Sequence, residues 1–163
     1  MFTKKPVFGL TLAVAAVVVA GCGSSTLNQQ ERAGLNEQAV NLQSQLAKAG
    51  DQATACATEE KIKKEGLKGI GECLGKALDR SANQVTEVSG YVKKLAGNAS
   101  GDCQSKLEDF SGALDQTAST LSEASALAKK GEIDKIDKEL QGVSQDQVDV
   151  QVAGRDADKA CGG

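Results

Sequence analysis

Cysteine is the residue type in this chain with the most specific chemistry. The 163 residues include five cysteines and no histidine. A cysteine thiolate can accept a lipid, oxidise to a disulfide or bind a metal. The two closest cysteines are 17 residues apart, so the Cys-x-x-Cys pairs of zinc sites, thioredoxin-like redox centres and haem attachment are absent. The five positions are Cys22, Cys56, Cys73, Cys103 and Cys161.

Cys22 follows a segment with the layout of an export signal. Lys4 and Lys5 precede an apolar run of 14 residues, Val7 to Ala20. This run is shorter than the roughly 20 apolar residues of a membrane-spanning helix. Its ending, Val19-Ala20-Gly21-Cys22, resembles the lipobox of bacterial membrane lipoproteins.

The resemblance covers residues 1–22 and implies a lipid-anchored bacterial protein. Residues 1–21 would be a signal peptide, removed when Cys22 receives a diacylglycerol thioether and its new amino terminus an acyl chain such as palmitate. Two or three chains, at about 0.8 kcal/mol per buried methylene, make a durable membrane anchor. We therefore expect export, with attachment to the outer face of the cytoplasmic membrane or to the outer membrane. Residues 22–28 would form a lipidated tether and residues 29–163 a folded domain.

The composition of the remaining chain favours a small helical domain. Removing residues 1–21 leaves 142 residues, the size of one domain, with 17 basic and 22 acidic side chains and a net charge of −5. Proline and methionine are absent from it, and Tyr91 and Phe110 are its only aromatic residues. Straight-chain residues in such numbers favour helix over sheet. The acidic balance argues against a nucleic-acid partner.

No set of residues in the sequence indicates catalysis. Without histidine, Ser-His-Asp and Cys-His mechanisms are excluded. Neighbouring acids such as Glu108 and Asp109, or Asp146 and Asp149, resemble glycosidase pairs only in composition. Solvated helix faces rich in acids produce the same pairs. We assign no catalytic residue, metal ligand or cofactor, and expect a protein that is not an enzyme.

Two further features have alternative interpretations. A lysine-rich stretch near an inter-helix loop could contact anionic headgroups or an acidic polymer, although interleaved glutamates favour a solvated loop. Thr58 to Glu65 within it are expected to form a lysine-rich turn or a short helix. Tyr91 is expected at the edge of a helical bundle, with its hydroxyl in water. The four lysines are Lys61, Lys63, Lys64 and Lys68.

Four segments carry apolar or small residues at alternating spacings of four and three, the pattern of a coiled-coil seam. The segments extend over residues 35–56, 74–95, 103–128 and 133–161. Gln147 and Gly154 interrupt the last seam. Glycine-rich breaks separate the segments, Gly131 suits a helix C-terminus, and Gly50 suggests a kink or an early end. We see no convincing internal repeat. Short connections predict an all-α, antiparallel up-down bundle of about four helices.

The bundle also predicts how four of the cysteines pair. An even number of cysteines in an exported chain favours two disulfides over a zinc site. The first segment ends near Cys56 and the second begins near Cys73, so these two cysteines lie at the same end of the bundle. Cys103 and Cys161 lie at similar distances from the expected turn near Gly131, so antiparallel helices bring them level. The expected disulfides are Cys56–Cys73 and Cys103–Cys161.

These observations favour a non-enzymatic cell-envelope lipoprotein that acts as a structural or interaction module. Its expected contacts are the membrane, through lipid on Cys22, and an envelope protein or polymer of unknown identity. The alternative is a carrier of a lipid or another small ligand in an apolar pocket between helices. Small seam residues such as Ala39, Ala49 and Ala53 could leave such a cavity or let the helices pack closely.

Overall fold

The computed structural model describes residues 27–56 and 58–162, which form four helices joined by short turns. The helices are α1 (Gln29–Cys56), α2 (Glu59–Asn98), α3 (Gly101–Lys129) and α4 (Ile133–Ala160). No strand occurs in this part of the chain. The predicted all-α architecture of about four helices is therefore confirmed.

Consecutive helices pack against one another in an antiparallel, up-down order. Helix α1 packs on α2, α2 on α3, and α3 on α4, with the most extensive interface between α2 and α3. Among the described residues, no other pair of helices packs extensively. The α2–α3 hairpin is thus the centre of the fold, and α1 and α4 are each attached to one side of it.

Helix α1 begins with a reciprocal cap that also joins it to the end of α2. The backbone N–H of Asn28 donates to Glu31 Oε2, and the N–H of Glu31 donates to Asn28 Oδ1, both at 2.9 Å. This arrangement satisfies N–H groups that a helix start leaves unpaired. Asn98 Nδ2 also donates to Glu31 Oε1 at 3.2 Å. The first turn of α1 is therefore capped and also hydrogen-bonded to the end of α2.

The glycines predicted to break helices act in different ways. Gly66, with φ of 66°, interrupts α2 and separates a short helical stretch, residues 59–65, from the long part that follows. The short-helix interpretation of the lysine-rich stretch is thus confirmed. Gly131, with φ of 75°, ends α3 as predicted, and the N–H of Glu132 donates to the carbonyl of Leu127. The early end suggested for Gly50 is wrong, because α1 continues to Cys56.

The predicted seams form one hydrophobic core. Val92, Leu107, Leu121 and Val143 have no exposed surface, and they belong to a cluster that includes residues from all four helices. The gap left by Gly154 in the α4 seam faces the ring of Phe110. A Cβ atom at Gly154 would lie 3.3 Å from Phe110 Cε2, so the aromatic ring occupies the space that a side chain would take.

We predict that Leu121→Ala lowers the free energy of unfolding by about 2–5 kcal/mol, because it removes a fully buried side chain and leaves a cavity. Val148→Ala is the matched control, since Val148 is half exposed, and we expect a change within about 0.5 kcal/mol. Chemical denaturation followed by circular dichroism measures both. Equal effects of the two substitutions would contradict the described core.

Candidate functional site

Cys22, the residue to which the sequence assigns lipid, lies outside the described residues, so its lipidation stays a prediction. The described chain begins five residues later, with Leu27 buried and Asn28 capping α1. Five residues span at most about 18 Å when extended. The capped end of α1 is therefore the part of the fold that lies next to the predicted anchor.

The four remaining cysteines form the two predicted disulfides. Cys56 is bonded to Cys73 with a Cα–Cα distance of 5.7 Å, and Cys103 is bonded to Cys161 with 4.7 Å. The first links α1 to α2, and the second links α3 to α4. A cross-link that closes a loop of this kind typically stabilises a small domain by about 2–4 kcal/mol.

The two disulfides lie in different surroundings. Cys103 and Cys161 are buried, with 1% and 5% of their surface exposed. Cys56 is also buried, but Cys73 is half-buried, and both line an open groove of about 390 Å³ between α1 and α2. The side chains of Lys76 and Arg80 border this groove, and Arg80 Nη1 donates to Gln52 Oε1 at 2.8 Å.

A second groove, of about 350 Å³, lies between α3 and α4 and is rimmed by acids. Its acids are Asp109, Asp149 and Asp156, with Lys106 beside them. Lys106 Nζ bonds to Asp109 Oδ2 at 3.1 Å, and this contact raises the pKa of Lys106. Asp109 and Asp149, from different predicted acid pairs, thus line the same groove. No cluster of potential metal ligands occurs in the described part of the chain.

Both grooves are large enough for part of a small ligand, whose pockets begin at about 300 Å³. Both open onto solvent at the seams between helices. The carrier hypothesis requires instead a cavity enclosed by apolar side chains. Neither groove has that form, because charged residues line each of them.

Residues 77–94 of α2 and 113–130 of α3 form an internal repeat that the sequence interpretation missed. At an offset of 36 residues, eight of the 18 aligned positions are identical. An offset of 36 residues equals ten turns of about 3.6 residues, so aligned residues lie on the same face of their helices. The identical pairs are Ala77/Ala113, Leu78/Leu114, Asp79/Asp115, Ala82/Ala118, Glu87/Glu123, Ser89/Ser125, Lys93/Lys129 and Lys94/Lys130.

The repeat builds two equivalent polar clusters across the α2–α3 interface. In the first, the Ser125 hydroxyl of α3 donates to Asp79 Oδ1 of α2 at 2.5 Å and lies 2.9 Å from the carbonyl oxygen of Gly75. Lys129, one turn after Ser125, donates to the other oxygen of Asp79. We call this serine, aspartate and lysine the first interface cluster.

The second interface cluster has the same connections with the helices exchanged. The Ser89 hydroxyl of α2 donates to Asp115 Oδ1 of α3 at 2.6 Å and lies 3.2 Å from the carbonyl oxygen of Ser111. Lys93, one turn after Ser89, bonds to Asp115 Oδ2 at 2.5 Å. An antiparallel pair of repeated helices has approximate twofold symmetry, and every bond of one cluster therefore has its counterpart in the other.

Both aspartates in these clusters are held in the charged form. Hydrogen bonds from Lys129 and Ser125 lower the pKa of Asp79, and hydrogen bonds from Lys93 and Ser89 lower that of Asp115. The ion pairs are partly exposed and hence screened by water. The serines are fully buried, so the hydrogen bonds that they donate inside the interface matter more for its packing.

Of the other residues considered from sequence, Tyr91 differs from the expectation. Its ring is half-buried against α1, where a Cβ atom at Gly34 would lie 2.1 Å from its hydroxyl oxygen. The hydroxyl contacts the carbonyl oxygen of Glu31 at 3.4 Å instead of facing only water. Gly34 is what allows this approach. Lys63, Lys64 and Lys68 are exposed, as a solvated stretch requires.

No protein-family model matches the chain, and comparisons with curated proteins and with solved structures give no match either. Within the described residues, no helix is both long enough and apolar enough to cross a membrane.

We predict that acid destabilises the protein through the two interface clusters. A carboxylate with a folded-state pKa below its unfolded value adds stability above the unfolded value of about 3.9, and this stability is lost as pH falls through the folded value. The free energy of unfolding of the native chain should therefore fall more steeply below about pH 4 than that of an Asp79→Asn/Asp115→Asn variant.

Denaturant titrations at a series of pH values test this prediction. Asp51→Asn is the control, because Asp51 is an exposed carboxylate of α1 outside both clusters. It should retain the steep acid dependence of the native chain. A double variant with an unchanged acid dependence would show that the clusters do not couple protonation to folding.

Proposed function

We propose that this protein is a lipid-anchored lipoprotein of the bacterial cell envelope and acts, without catalysis, as an interaction or spacer module. The observation that carries the proposal is the Val19-Ala20-Gly21-Cys22 sequence placed a few residues before a helical domain. The lipobox cysteine would attach the protein to a membrane, and the helical domain would be the rigid part displayed from it.

The two disulfides support export. Disulfides persist in oxidising compartments outside the cytoplasm, where small domains use them to supplement limited cores. This core consists largely of Leu, Val and Ala and has few aromatic side chains, so it gains relatively little from burial alone. The cross-links of both outer hairpins compensate for that composition.

The helix directions give the module two distinct ends. The start of α1, the end of α2 and the disulfide Cys103–Cys161 lie at the tether end. Helix α1 has 28 residues, which at 1.5 Å per residue extend to about 42 Å. The lysine-rich short helix and the disulfide Cys56–Cys73 lie at the other end. We propose an anionic envelope polymer as the partner of the exposed Lys63, Lys64 and Lys68 at that end.

An exposed apolar strip on α4 supports the interaction role. Val148 and Val152 are 51% and 45% exposed and lie one helical turn apart, on a helix that packs only on α3. Val152 also lines the acidic groove beside Asp149 and Asp156. Apolar side chains next to organised charge are typical of protein contact surfaces. We propose this strip as the contact with an envelope protein.

A carrier of a lipid or small apolar ligand is the alternative function. Of the small seam residues on which it rests, Ala49 is buried, Ala39 and Ala53 are partly buried, and the two described grooves are open and charged. Co-purification of a stoichiometric lipid with the folded domain, beyond the acyl chains on Cys22, would favour the carrier over the interaction module.

We predict that Cys22→Ala releases the protein from membranes, because the variant lacks the thiol that accepts lipid. Fractionation of bacteria that express the native and variant chains measures the distribution. Cys73→Ala is the control, since it removes a cysteine but leaves the anchor, and it should stay in the membrane fraction. Full recovery of Cys22→Ala with membranes would refute lipid anchoring at this residue.

We further predict that a photo-crosslinking amino acid at Val152 captures a defined envelope protein in living cells. The same group at Ala126, an exposed position on α3, serves as the control and should capture little. Mass spectrometry identifies the products. Identical products at both positions, or none at Val152, would contradict the assignment of the α4 strip as a contact surface.

A further inference from the structure

The different surroundings of the two disulfides imply different reactivity in the folded protein. A thiolate must reach a disulfide sulfur along the S–S axis, so access limits exchange as much as intrinsic reactivity does. Cys103 and Cys161 are both buried. Cys73 is only partly buried and faces an open groove that Cys56 also lines.

The groove offers space and favourable charge for an incoming thiolate. Small residues from both helices, Ala55 and Gly69 among them, form its walls, and its volume is about 390 Å³. Among the lining residues that the structure describes, the cations Lys76 and Arg80 border it, against the single carboxylate of Glu72. Nearby cations stabilise thiolates, which favours both the attacking group and the sulfur that leaves.

We propose that Cys56–Cys73 is a thiol–disulfide exchange site, open in the folded protein to the thiolate of a dithiol reductant. The thiolate attacks Cys73 Sγ, the Cys56–Cys73 bond breaks, and Cys56 leaves as a thiolate that takes up a proton. The second thiol of the reductant then attacks the mixed disulfide and frees Cys73. Cys56 and Cys73 together gain two electrons and two protons, and the reductant leaves as a disulfide.

The exchange would remove the covalent link at one end of the fold and leave the disulfide at the other end intact. The bond joins the last residue of α1 to α2 across a separation of 17 residues. Its reduction removes the covalent link at that end, where the hydrogen bond from Arg80 to Gln52 remains. Cys103–Cys161 continues to hold α3 to α4. The site therefore acts on the α1–α2 hairpin alone, independently of whether the chain carries lipid.

The test is timed reduction of the full-length protein by dithiothreitol under native conditions. Samples are quenched with an alkylating reagent, and mass spectrometry measures the free thiols at each cysteine. The second disulfide is an internal control in every sample. We expect Cys56–Cys73 to be reduced at least about tenfold faster, because reduction of the buried disulfide requires the fold to open. Equal rates, or faster reduction of Cys103–Cys161, would overturn the proposal.

Two further measurements show whether the fold and the groove cause the difference. In denaturant the two rates should converge, and a difference that persisted there would assign the effect to local sequence and overturn the proposal. Ala55→Leu places a larger side chain at the exposed wall of the groove and should slow reduction of Cys56–Cys73 about threefold or more. Ala126→Leu, the same change at an exposed position on α3, should leave that rate unchanged.

An unchanged reduction rate in Ala55→Leu, with an unchanged melting temperature, would contradict access through the groove. The rate is measured on each variant after confirming that both disulfides are formed before the reductant is added. A variant with a lowered melting temperature is replaced by Ala55→Gln, which also fills the groove and keeps a polar side chain at this exposed position.

Discussion

The close contact between α2 and α3 is the interaction on which the rest of the fold depends. In the described part of the chain, both outer helices pack mainly on this central hairpin, so its register sets theirs. The two backbones approach closely because glycines face the partner helix. A Cβ atom at Gly71 would lie 2.2 Å from the carbonyl oxygen of Ala128, and one at Gly75 would lie 2.6 Å from Lys129 Cγ. Alanine at Gly71 would therefore force the two backbones apart, whereas alanine at Gly75 would first displace the Lys129 side chain.

Small residues make the approach possible but do not by themselves specify a register. A flat interface of Ala, Gly and Val can slide by one helical turn with little change in contact area. Two buried serines reduce this ambiguity, since each donates to an acceptor on the other helix. Ser125 reaches Asp79 and Gly75, and Ser89 reaches Asp115. A slip by a turn would leave both buried hydroxyls without their partners, and this cost is larger than the energy of the hydrogen bonds themselves.

The sequence predicts much of this architecture because the signals are local and periodic. Seams with an average spacing of 3.5 residues locate the four helices, and their lengths bring Cys103 level with Cys161. The interface clusters were not predicted, because their bonds join residues 22 to 50 positions apart. A comparison of the chain with itself at an offset of 36 residues would have shown the repeat. Inspection of each seam by itself hides it, since most of the repeated residues look like ordinary helix formers.

The contact of Tyr91 with α1 shows a different limit of sequence interpretation. Its position beside the seam predicts an edge residue, which the half-buried ring confirms. The contact that its hydroxyl makes depends on Gly34. This glycine lies on another helix, α1, and is not part of the periodic apolar pattern.

The disulfides and the buried serine hydrogen bonds hold different interfaces between the helices. The disulfides join α1 to α2 and α3 to α4, which are the two outer interfaces, and neither crosses between α2 and α3. Among the described contacts between helices, the hydrogen bonds that buried serines donate all lie at that central interface. Polar contacts accompany the disulfides at the outer interfaces, such as the hydrogen bond from Arg80 to Gln52 and that from Thr120 to Asp146, so each interface has a means of fixing its register. For a domain with few aromatic residues, this division replaces the shape specificity that large side chains would otherwise supply. The disulfide in the open groove is then the one constraint that chemistry can remove without unfolding the centre.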